Sequence, residues 1–463
     1  MNTNSKKHLI LIAVSLFLCM IFIDEASVAV TLPHIQATFH LTSVQTQWVM
    51  NAMFLPIAVL VLFGGKLADH IGTRRTFTIG MLVFWLASIL CVFSNSGEML
   101  IIGRALQGIG ISFALATYAV LILQVFPQSE SGTALGTCAS YGAMFLAIGP
   151  LLGGALADYL NWRWVFALNI PLGPVILWMV YKCISKDIVA KEQVPFDIQG
   201  LLLFLIGFTL IIYALMQAVV LGWSNPMTIG LLGLGVILFV MFILSSLKRN
   251  FPLANLRLFK NRTFLSGTVI LLCTQIIVMC LTYWAIWLQK SLGLSALVAG
   301  FALLPAGLPI LLMGKIGGKW LDKFGPRKPI LLGTVITFIG MIILASTAQL
   351  HSYWFALIGF LGYGIGAPLI ISPSIAAVLG SVKPEHIGMA SGILNTMRQL
   401  GAALCFAIVG VVITNIYNSK AYVQHFHHGN LYSIAFSYGM MTASIFAFIS
   451  LIFAWKGLPH KKT

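Results

Sequence analysis

The segment GKLADHIGTRR at residues 65–75 occurs again, in altered form, as GKWLDKFGPRK at residues 318–328. Both copies follow the pattern G-K-x-x-D-x-x-G-x-basic-basic, and each stands between two long apolar stretches. A loop that only needed positive charge would not repeat an aspartate at a fixed spacing. The repeat therefore indicates two similar halves, each with the same polar loop between two apolar segments.

The composition indicates a membrane protein. Of the 463 residues, 59% are hydrophobic and only 8% are charged, whereas an average globular chain has about 25% charged residues. These values exclude a soluble protein, and they exclude disorder, because the chain has too much apolar surface to leave in water. The net charge of +16 would suggest nucleic acid as the partner of a soluble protein. Here a lipid bilayer explains the charge, and no nucleic-acid partner is expected.

Apolar stretches of about 20 residues are long enough to cross a hydrocarbon layer of about 30 Å as helices. The sequence contains fourteen of them, and the first is too long for the apolar part of a signal peptide. The predicted spans cover residues 9–31, 46–66, 76–94, 98–124, 132–157, 165–185, 198–218, 226–247, 264–289, 297–318, 329–347, 353–378, 387–416 and 433–455.

The loops predict the orientation, since lysine and arginine are enriched on the cytoplasmic side. With a cytoplasmic N-terminus, only Arg163, Lys290 and Lys420 fall on the outer side. Arg104 and Arg398 fall within spans, and all other basic residues are cytoplasmic. The sequence therefore predicts a multi-pass protein of the cytoplasmic (inner) membrane with both termini in the cytoplasm.

Eight predicted spans separate the two copies of the repeated loop, although two equal six-helix halves would place them six spans apart. Two helices are therefore inserted between the halves. The predicted fold is all-α, with fourteen transmembrane helices in a 6+2+6 arrangement. Residues 1–185 form an N-terminal six-helix bundle, residues 186–263 the two central helices with flanking cytoplasmic loops, and residues 264–463 a C-terminal six-helix bundle. Parallel repeats of this kind are a transporter architecture, with the substrate near the midplane between the halves.

The repeated loop has the residues of a tight turn between two helices. Glycine permits such a turn, and an acid near the following helix N-terminus interacts favourably with the helix dipole. We interpret the loop as a conformational latch or hinge; the alternative, an anchor at the lipid headgroups, would explain only its basic residues. The candidate latch residues are Gly65, Asp69, Gly72, Arg74, Arg75, Asp322, Gly325 and Arg327.

Of the eleven acids, only Asp24 and Glu25 lie well within a predicted span. An ionisable group there is costly and marks a functional site by default. Adjacent helical residues point about 100° apart, so one acid can face a central cavity while the other faces a neighbouring helix. The alternative is that one of them only caps a broken helix.

Arg104 lies at a depth similar to that of Asp24, so we expect it to approach one of the two acids, with Gln107 one turn away as a hydrogen-bond partner. A purely structural salt bridge is the alternative. Arg398 has no acid at its depth, and we expect a structural role, with its side chain reaching toward the cytoplasm or backbone carbonyls.

Together these residues resemble the major facilitator superfamily, and specifically its fourteen-helix drug:proton antiporter branch, over nearly the whole chain. Residues 23–33, IDEASVAVTLP, are similar to that branch's pattern L-D-x-T-I-V-N-V-A-L-P in the first helix. Residues 104–110, RALQGIG, resemble the proton-coupling motif R-x-x-Q-G-x-G. The antiporter motif G-P-x-x-G-G is matched by Gly149, Pro150, Gly153 and Gly154.

The resemblance implies a secondary active transporter and no enzyme, driven by the proton gradient without a cofactor or a metal. It would export amphipathic drugs or toxic small molecules by alternating access and so confer antibiotic resistance, with proton coupling at Asp24, Glu25, Arg104 and Gln107. Because no acid lies in the last six spans, we expect neutral or monocationic substrates rather than dications.

Other functions stay open. Alanines at positions 26 and 29 replace a threonine and an asparagine of the first-helix pattern, so a dedicated exporter of one metabolite, siderophore or lipid-like molecule is the alternative. A membrane enzyme or sensor is disfavoured, because the sequence has no P-loop, G-x-S-x-G or H-E-x-x-H motif. Whether a periplasmic adaptor protein takes part is not determined by the sequence.

Overall fold

The structure, a computed structural model, describes residues 3–184, 197–249, 252–383, 387–419 and 428–458. In these ranges the chain forms α-helices with short connections, which include 3₁₀ turns at Leu256–Lys260 and Ala348–Leu350 and a π-turn at Cys405–Gly410. The α-helices are α1 (Thr3–Phe39), α2 (Ser43–Ile71), α3 (Thr73–Val92), α4 (Gly97–Val125), α5 (Gln128–Tyr159), α6 (Trp164–Ala167), α7 (Asn169–Cys183), α8 (Ile198–Leu221), α9 (Pro226–Lys248), α10 (Arg262–Met279), α11 (Leu281–Lys290), α12 (Ala296–Phe324), α13 (Arg327–Thr347), α14 (Tyr353–Leu379), α15 (Ile387–Leu404), α16 (Val411–Tyr417) and α17 (His428–Gly457).

The described residues include 12 helical spans that are long and apolar enough to cross a membrane. Three of these spans contain two helices each, namely α6 with α7, α10 with α11, and α15 with α16. Helices α5 and α12 have 32 and 29 residues, and each carries a shorter apolar stretch, Met144–Tyr159 and Ala296–Ile310. The chain is therefore an all-helical, multi-pass integral membrane protein, as the composition predicts.

The helices pack into two bundles with the same pattern of neighbours. In the N-terminal bundle, α1 to α7, helix α4 packs against α2 and α3, and α1 packs against α5 and α7. In the C-terminal bundle, α10 to α17, helix α14 packs against α12 and α13, and α10 packs against α15 and α17. The bundles meet along a seam, at which α5 packs on α12 and α2 packs on α15.

Helices α8 and α9 form a separate pair that packs mainly on itself. Asp197 caps the start of α8 and joins it to the segment after α9: its carboxylate accepts hydrogen bonds from the Gly200 amide (2.8 Å), from Arg249 Nη1 (2.7 Å) and from the Leu253 amide (3.0 Å). On the other side the pair touches α2 and α16. It is thus attached beside the seam between the two bundles.

The repeated loop forms the same turn in both bundles. Gly72 has φ 101° and Gly325 has φ 74°, a region that favours glycine. Each glycine amide closes the preceding helix, Gly72 on the Ala68 carbonyl at 2.9 Å and Gly325 on the Leu321 carbonyl at 2.8 Å. The predicted tight turns are confirmed at both positions.

Candidate functional site

Asp24 on α1 and Arg104 on α4 form an ion pair with no solvent exposure of either side chain. Arg104 Nη1 donates to Asp24 Oδ2, and it also donates to Gln107 Oε1 at 2.9 Å. Its Nε donates to the Val49 carbonyl of α2 at 3.0 Å, and its guanidinium lies 5.6 Å from the ring centroid of Phe166. The predicted approach of Arg104 to one of the two acids, with Gln107 beside it, is therefore present.

Two further polar side chains complete the surroundings of this pair. Asn169 at the start of α7 donates to Asp24 Oδ1 at 3.4 Å and to the hydroxyl of Ser88 on α3 at 3.3 Å. The same hydroxyl accepts a hydrogen bond of 2.8 Å from Gln107 Nε2. A buried ion pair is tolerated when such bonds satisfy its polar atoms, and here they satisfy all but Arg104 Nη2, which has no hydrogen-bond partner among the described residues. All members of this network belong to the N-terminal bundle.

Close helix packing holds α4 in the position that this network requires. A Cβ on Gly108 would collide with the Met53 carbonyl of α2, and a Cβ on Gly110 would lie 2.6 Å from the Gly80 carbonyl of α3. Only glycine at these two positions lets α2 and α3 approach the α4 backbone so closely. The glycines of the segment RALQGIG therefore bring Arg104 within reach of both α1 and α2.

Glu25, the next residue on α1, points into a different environment. It lines a mostly apolar cavity between the bundles, whose other walls come from α2, α5, α10, α11, α12 and α14, with Met50, Thr282 and Tyr363 among the lining residues. The cavity holds about 30 Å³, which admits a few water molecules but is far below the roughly 300 Å³ of a typical ligand pocket. A larger substrate would require the bundles to move apart.

Arg398 on α15 is the cation that faces Glu25 from the C-terminal bundle. The two groups interact electrostatically across the seam without a direct ion-pair contact. Its Nε and Nη2 both donate to Gln275 Oε1 of α10, each at 3.3 Å. The structural role expected for Arg398 stays a prediction, but the expectation that it has no acid near it is wrong, because one acid interacts with it electrostatically. The acid comes from α1, across the seam.

The antiporter motif lies on α5 and contacts helices of both bundles. A Cβ on Gly153 would lie 2.6 Å from the Ser27 Cα of α1, and the Ser27 hydroxyl donates to the Gly149 carbonyl at 2.8 Å. Gly154 packs against the backbone of α12, and the Pro150 carbonyl approaches Gly300 of α12. The motif therefore lets α5 contact α1 within its bundle and α12 of the other bundle.

The two repeated loops make equivalent contacts within their own bundles. Arg74 Nη1 donates to the Ile184 carbonyl at 2.6 Å, and the Arg74 guanidinium lies 4.5 Å from the Tyr181 ring centroid. Arg327 Nη2 donates to the Trp455 carbonyl at 2.6 Å. Each loop thereby binds the end of the last helix of its bundle.

Not all candidate latch residues can be assigned contacts. The side chains of Asp69 and Asp322 lie outside the described part of the structure. Arg75 is exposed, whereas Arg74 is half-buried, and Arg75 makes interactions of its own. A Cβ on Gly65 would meet nothing within 4 Å, so Gly65 is not required for close packing.

At the end of the molecule opposite these loops, the bundles are joined by hydrogen bonds. Gln47 Nε2 of α2 donates to the Thr414 hydroxyl of α16 at 2.6 Å, and Gln289 Nε2 of α11 donates to the Val30 carbonyl of α1 at 2.8 Å. Phe54 also stacks on Phe406, with ring centroids 5.9 Å apart. Between the described side chains, the seam is closed at this end.

Two helical bundles with a buried ion pair in one of them and an acid at their seam indicate a membrane transporter. Residues 14–406 match the Major Facilitator Superfamily, and the chain belongs to this family of transporters. The predicted family is confirmed.

The chain is similar to transporters of different named substrates. It is 30% identical over 420 residues to the multidrug resistance protein Stp of Mycobacterium tuberculosis (strain CDC 1551 / Oshkosh), covering 89% of this chain and 76% of Stp. It is also 30% identical over 453 residues to the riboflavin transporter RibZ of Clostridioides difficile (strain 630), covering 96% of each. A bacterial homologue of the human lysosomal transporter Spinster, crystallised inward-facing and unoccupied, shares the fold with a TM-score of 0.69 at 15% identity over 97% of this chain and 96% of that one.

Proposed function

We propose that this chain is a proton-coupled antiporter that exports amphipathic drugs or toxic small molecules by alternating access. Relatives named for multidrug resistance support the substrate class. One observation carries the coupling. The adjacent acids of α1 face two different arginines, Asp24 facing Arg104 inside the N-terminal bundle and Glu25 facing Arg398 across the seam.

The proposal includes fourteen spans in the 6+2+6 arrangement, with residues 1–185, 186–263 and 264–463 as its three parts and both termini in the cytoplasm of a cytoplasmic membrane. The lengths of α5 and α12 support it, since 32 and 29 helical residues reach about 48 and 44 Å. So does the equal packing pattern of the bundles on either side of α8 and α9. The excess of basic residues at the loop end supports the orientation.

In the proposed cycle the two acids have different tasks. Asp24 stays paired with Arg104 and fixes α1 against α4, with Gln107 as a shared hydrogen-bond partner. Glu25 exchanges a proton. Facing the cytoplasm, charged Glu25 and the apolar walls around it bind the substrate. Facing outward, Glu25 takes up a proton, its attraction to Arg398 ends, and the substrate leaves. Proton and substrate compete for the same charge, and this competition couples them.

The rest of the motif residues have roles in the motion. The antiporter motif gives α5 a surface without large side chains, along which α1 and α12 can slide. Its residues are Gly149, Pro150, Gly153 and Gly154. In the two loops, Gly72 and Gly325 form the turns, and Arg74 and Arg327 make the hydrogen bonds. The loops act as latches that keep each bundle rigid while the two bundles move relative to each other. Gly65, Asp69, Arg75 and Asp322 remain candidate latch residues.

Charge balance limits the substrate. Each of the two acids within the spans already faces an arginine, so no further carboxylate is available to neutralise a second positive charge on the substrate. We therefore propose neutral or monocationic substrates over dications, because an uncompensated charge at this depth is costly. Transport of a dication by a variant with both Asp24→Asn and Glu25→Gln would contradict this.

Substrate-induced proton release from the purified protein tests the coupling. Wild type is expected to release protons when an exported amphipath is added at weak buffering, and Glu25→Gln is expected to release none. Glu98→Gln, an exposed acid at the start of α4, is the matched control and should behave as wild type. If the double variant Asp24→Asn/Glu25→Gln still exports substrate uphill under an imposed pH difference, the proposed coupling is wrong.

A dedicated transporter of one metabolite is the second candidate, because the alignment with RibZ covers 96% of both chains. Ala26 beside Glu25 and Ala29 in the same cavity also reduce the polarity around the acid. Everted vesicles challenged with a panel of unrelated amphipaths separate the two functions. Export of several unrelated compounds supports a multidrug antiporter, whereas export of a single compound with no competition by the others supports the dedicated transporter.

A further inference from the structure

A second cavity lies beside the α8–α9 pair, away from Glu25. It holds about 400 Å³, compared with about 30 Å³ at Glu25, and so falls within the range of about 300–1,000 Å³ typical of ligand pockets. Its walls come from α8, α9, the connection after α9, and two helices of different bundles, α2 through Leu62 and α15 through Thr396. An occupant would touch the inserted pair and both bundles at once.

The walls of this cavity are almost entirely apolar. Phe204, Phe239, Phe242 and Phe259 contribute aromatic rings, and the Phe204 and Phe242 rings stack with centroids 4.9 Å apart. Among the residues that the structure describes, no charged side chain lines it. Thr396 is the polar exception: it is 4% exposed, and its Oγ1 has no hydrogen-bond partner among the described residues. An apolar chain with a polar group near one end would match this lining.

Exposed basic residues surround the end of the cavity that faces the loops. Lys248, Arg257 and Lys260 each directly follow a lining residue in the sequence and are exposed. Arg257 Nη2 donates to the carbonyl of the lining residue Leu247 at 3.3 Å, which places the guanidinium at the rim. The only acid between residues 197 and 262 is Asp197, and Arg249 already binds it. Within residues 197–262 the basic residues at the rim therefore have no acid left to compensate them.

We propose that this cavity binds an anionic phospholipid of the cytoplasmic leaflet. One acyl chain lies among the phenylalanines, and the phosphate lies at the rim with Arg257 and Lys260. The assignment to the cytoplasmic leaflet rests on the orientation proposed above. The match between the cavity and an anionic lipid does not depend on that orientation. An apolar tail matches the uncharged walls, and an anionic head matches the rim, as expected for basic residues at an anionic leaflet. A bound lipid would join the inserted pair to α2 and α15, the two helices that meet at the seam.

Lipid retention by the purified full-length protein tests this site. The delipidated protein is incubated in detergent with equal amounts of phosphatidylglycerol and phosphatidylcholine, and retained lipids are counted by native mass spectrometry. Wild type is expected to retain one phosphatidylglycerol per chain, at least fivefold more often than phosphatidylcholine. The rim variant Arg257→Gln/Lys260→Gln should lose this preference. Lys182→Gln/Lys456→Gln removes two exposed lysines of the same membrane side as a matched control and should keep it.

Variants that fill the cavity with a larger side chain provide the second part of the test. Ile393→Trp, or the milder Ala254→Leu, should reduce retention of phosphatidylglycerol at least fivefold while the protein stays monodisperse. Equal retention of both lipids by wild type, or unchanged retention in both filled variants, would overturn the proposal. If an exported amphipath releases the bound lipid, the cavity is a substrate site instead, and the lipid proposal is overturned. Because no gradient is applied, Glu25→Gln should retain the lipid, so failure of the antiport proposal is a separate outcome.

Discussion

At the scale of single residues, Asp24 and Glu25 are neighbours with different partners, and their variants should fail differently. Asp24→Asn removes one member of a fully buried ion pair and leaves Arg104 uncompensated, at an expected cost of about 3–5 kcal/mol. Glu25→Gln should cost less stability, because Glu25 makes no direct ion pair, and it should abolish export. Thermal unfolding in detergent, measured beside transport in vesicles, separates the two effects. Equal loss of stability in both variants would contradict the division of tasks.

The electrostatic interaction of Glu25 with Arg398 across the seam makes a prediction for a double-mutant cycle. Glu25→Gln and Arg398→Gln should destabilise less together than the sum of the single changes, with a coupling of about 0.5–3 kcal/mol. The control cycle combines Glu98→Gln with Arg398→Gln and should be additive, because Glu98 is exposed at the far end of α4. Additivity in both cycles would mean that the two charges do not interact.

Residue-level reasoning from sequence reached the Asp24–Arg104 ion pair and missed the electrostatic interaction of Glu25 with Arg398 for a physical reason. Asp24 and Arg104 lie at similar depth in neighbouring spans of one half, so counting residues along helices was enough to bring them together. Glu25 and Arg398 meet only because the two bundles pack face to face, and no sequence spacing records that contact. Ser88 and Asn169 were overlooked as well, although a polar residue within an apolar span was the available indication.

At the scale of elements, the two repeated turns depend on backbone conformations that only glycine adopts easily. Gly72→Ala and Gly325→Ala should each cost about 1–3 kcal/mol, because φ is 101° and 74°. Gly65→Ala is the matched control, since its Cβ would meet nothing within 4 Å and alanine favours the helix by about 1 kcal/mol. Thermal unfolding of the three variants in detergent measures this. A control as unstable as the turn variants would contradict the argument.

Helix positions were largely predictable, whereas their ends and irregularities were not. Helix α1 runs from Thr3 to Phe39, beyond the predicted 9–31, because a helix continues past the apolar layer where its polar ends meet headgroups and water. The π-turn at Cys405–Gly410 has no sequence signature that hydropathy detects. It lies where Gly410 accepts a hydrogen bond of 2.9 Å from Gln47 of the other bundle, a contact set by tertiary packing.

At the scale of the whole molecule, the composition and the repeat were sufficient for a helical membrane protein of two similar bundles, but hydropathy alone does not determine the number of crossings. The two helices that decide it, α5 and α12, carry apolar stretches shorter than the other spans, Met144–Tyr159 and Ala296–Ile310. Both are interrupted by glycines and polar residues where they pack on α1, α14 and each other. Helices buried against protein need less apolar surface than helices that face lipid.

Single cysteines in the connections between helices test the fourteen-span topology. If a helix does not cross the membrane, every later connection lies on the opposite side of it. Asn95→Cys lies before α5, Ser224→Cys lies between α5 and α12, and Ser352→Cys lies after α12. All three should react with a membrane-impermeant maleimide added outside intact cells. Asn261→Cys should react only after permeabilisation. The seven native cysteines are buried and give little background. Ser224→Cys labelling from the side opposite to Asn95→Cys would mean that α5 does not cross. Ser352→Cys opposite to Ser224→Cys would mean the same for α12, and the 6+2+6 arrangement would then be abandoned.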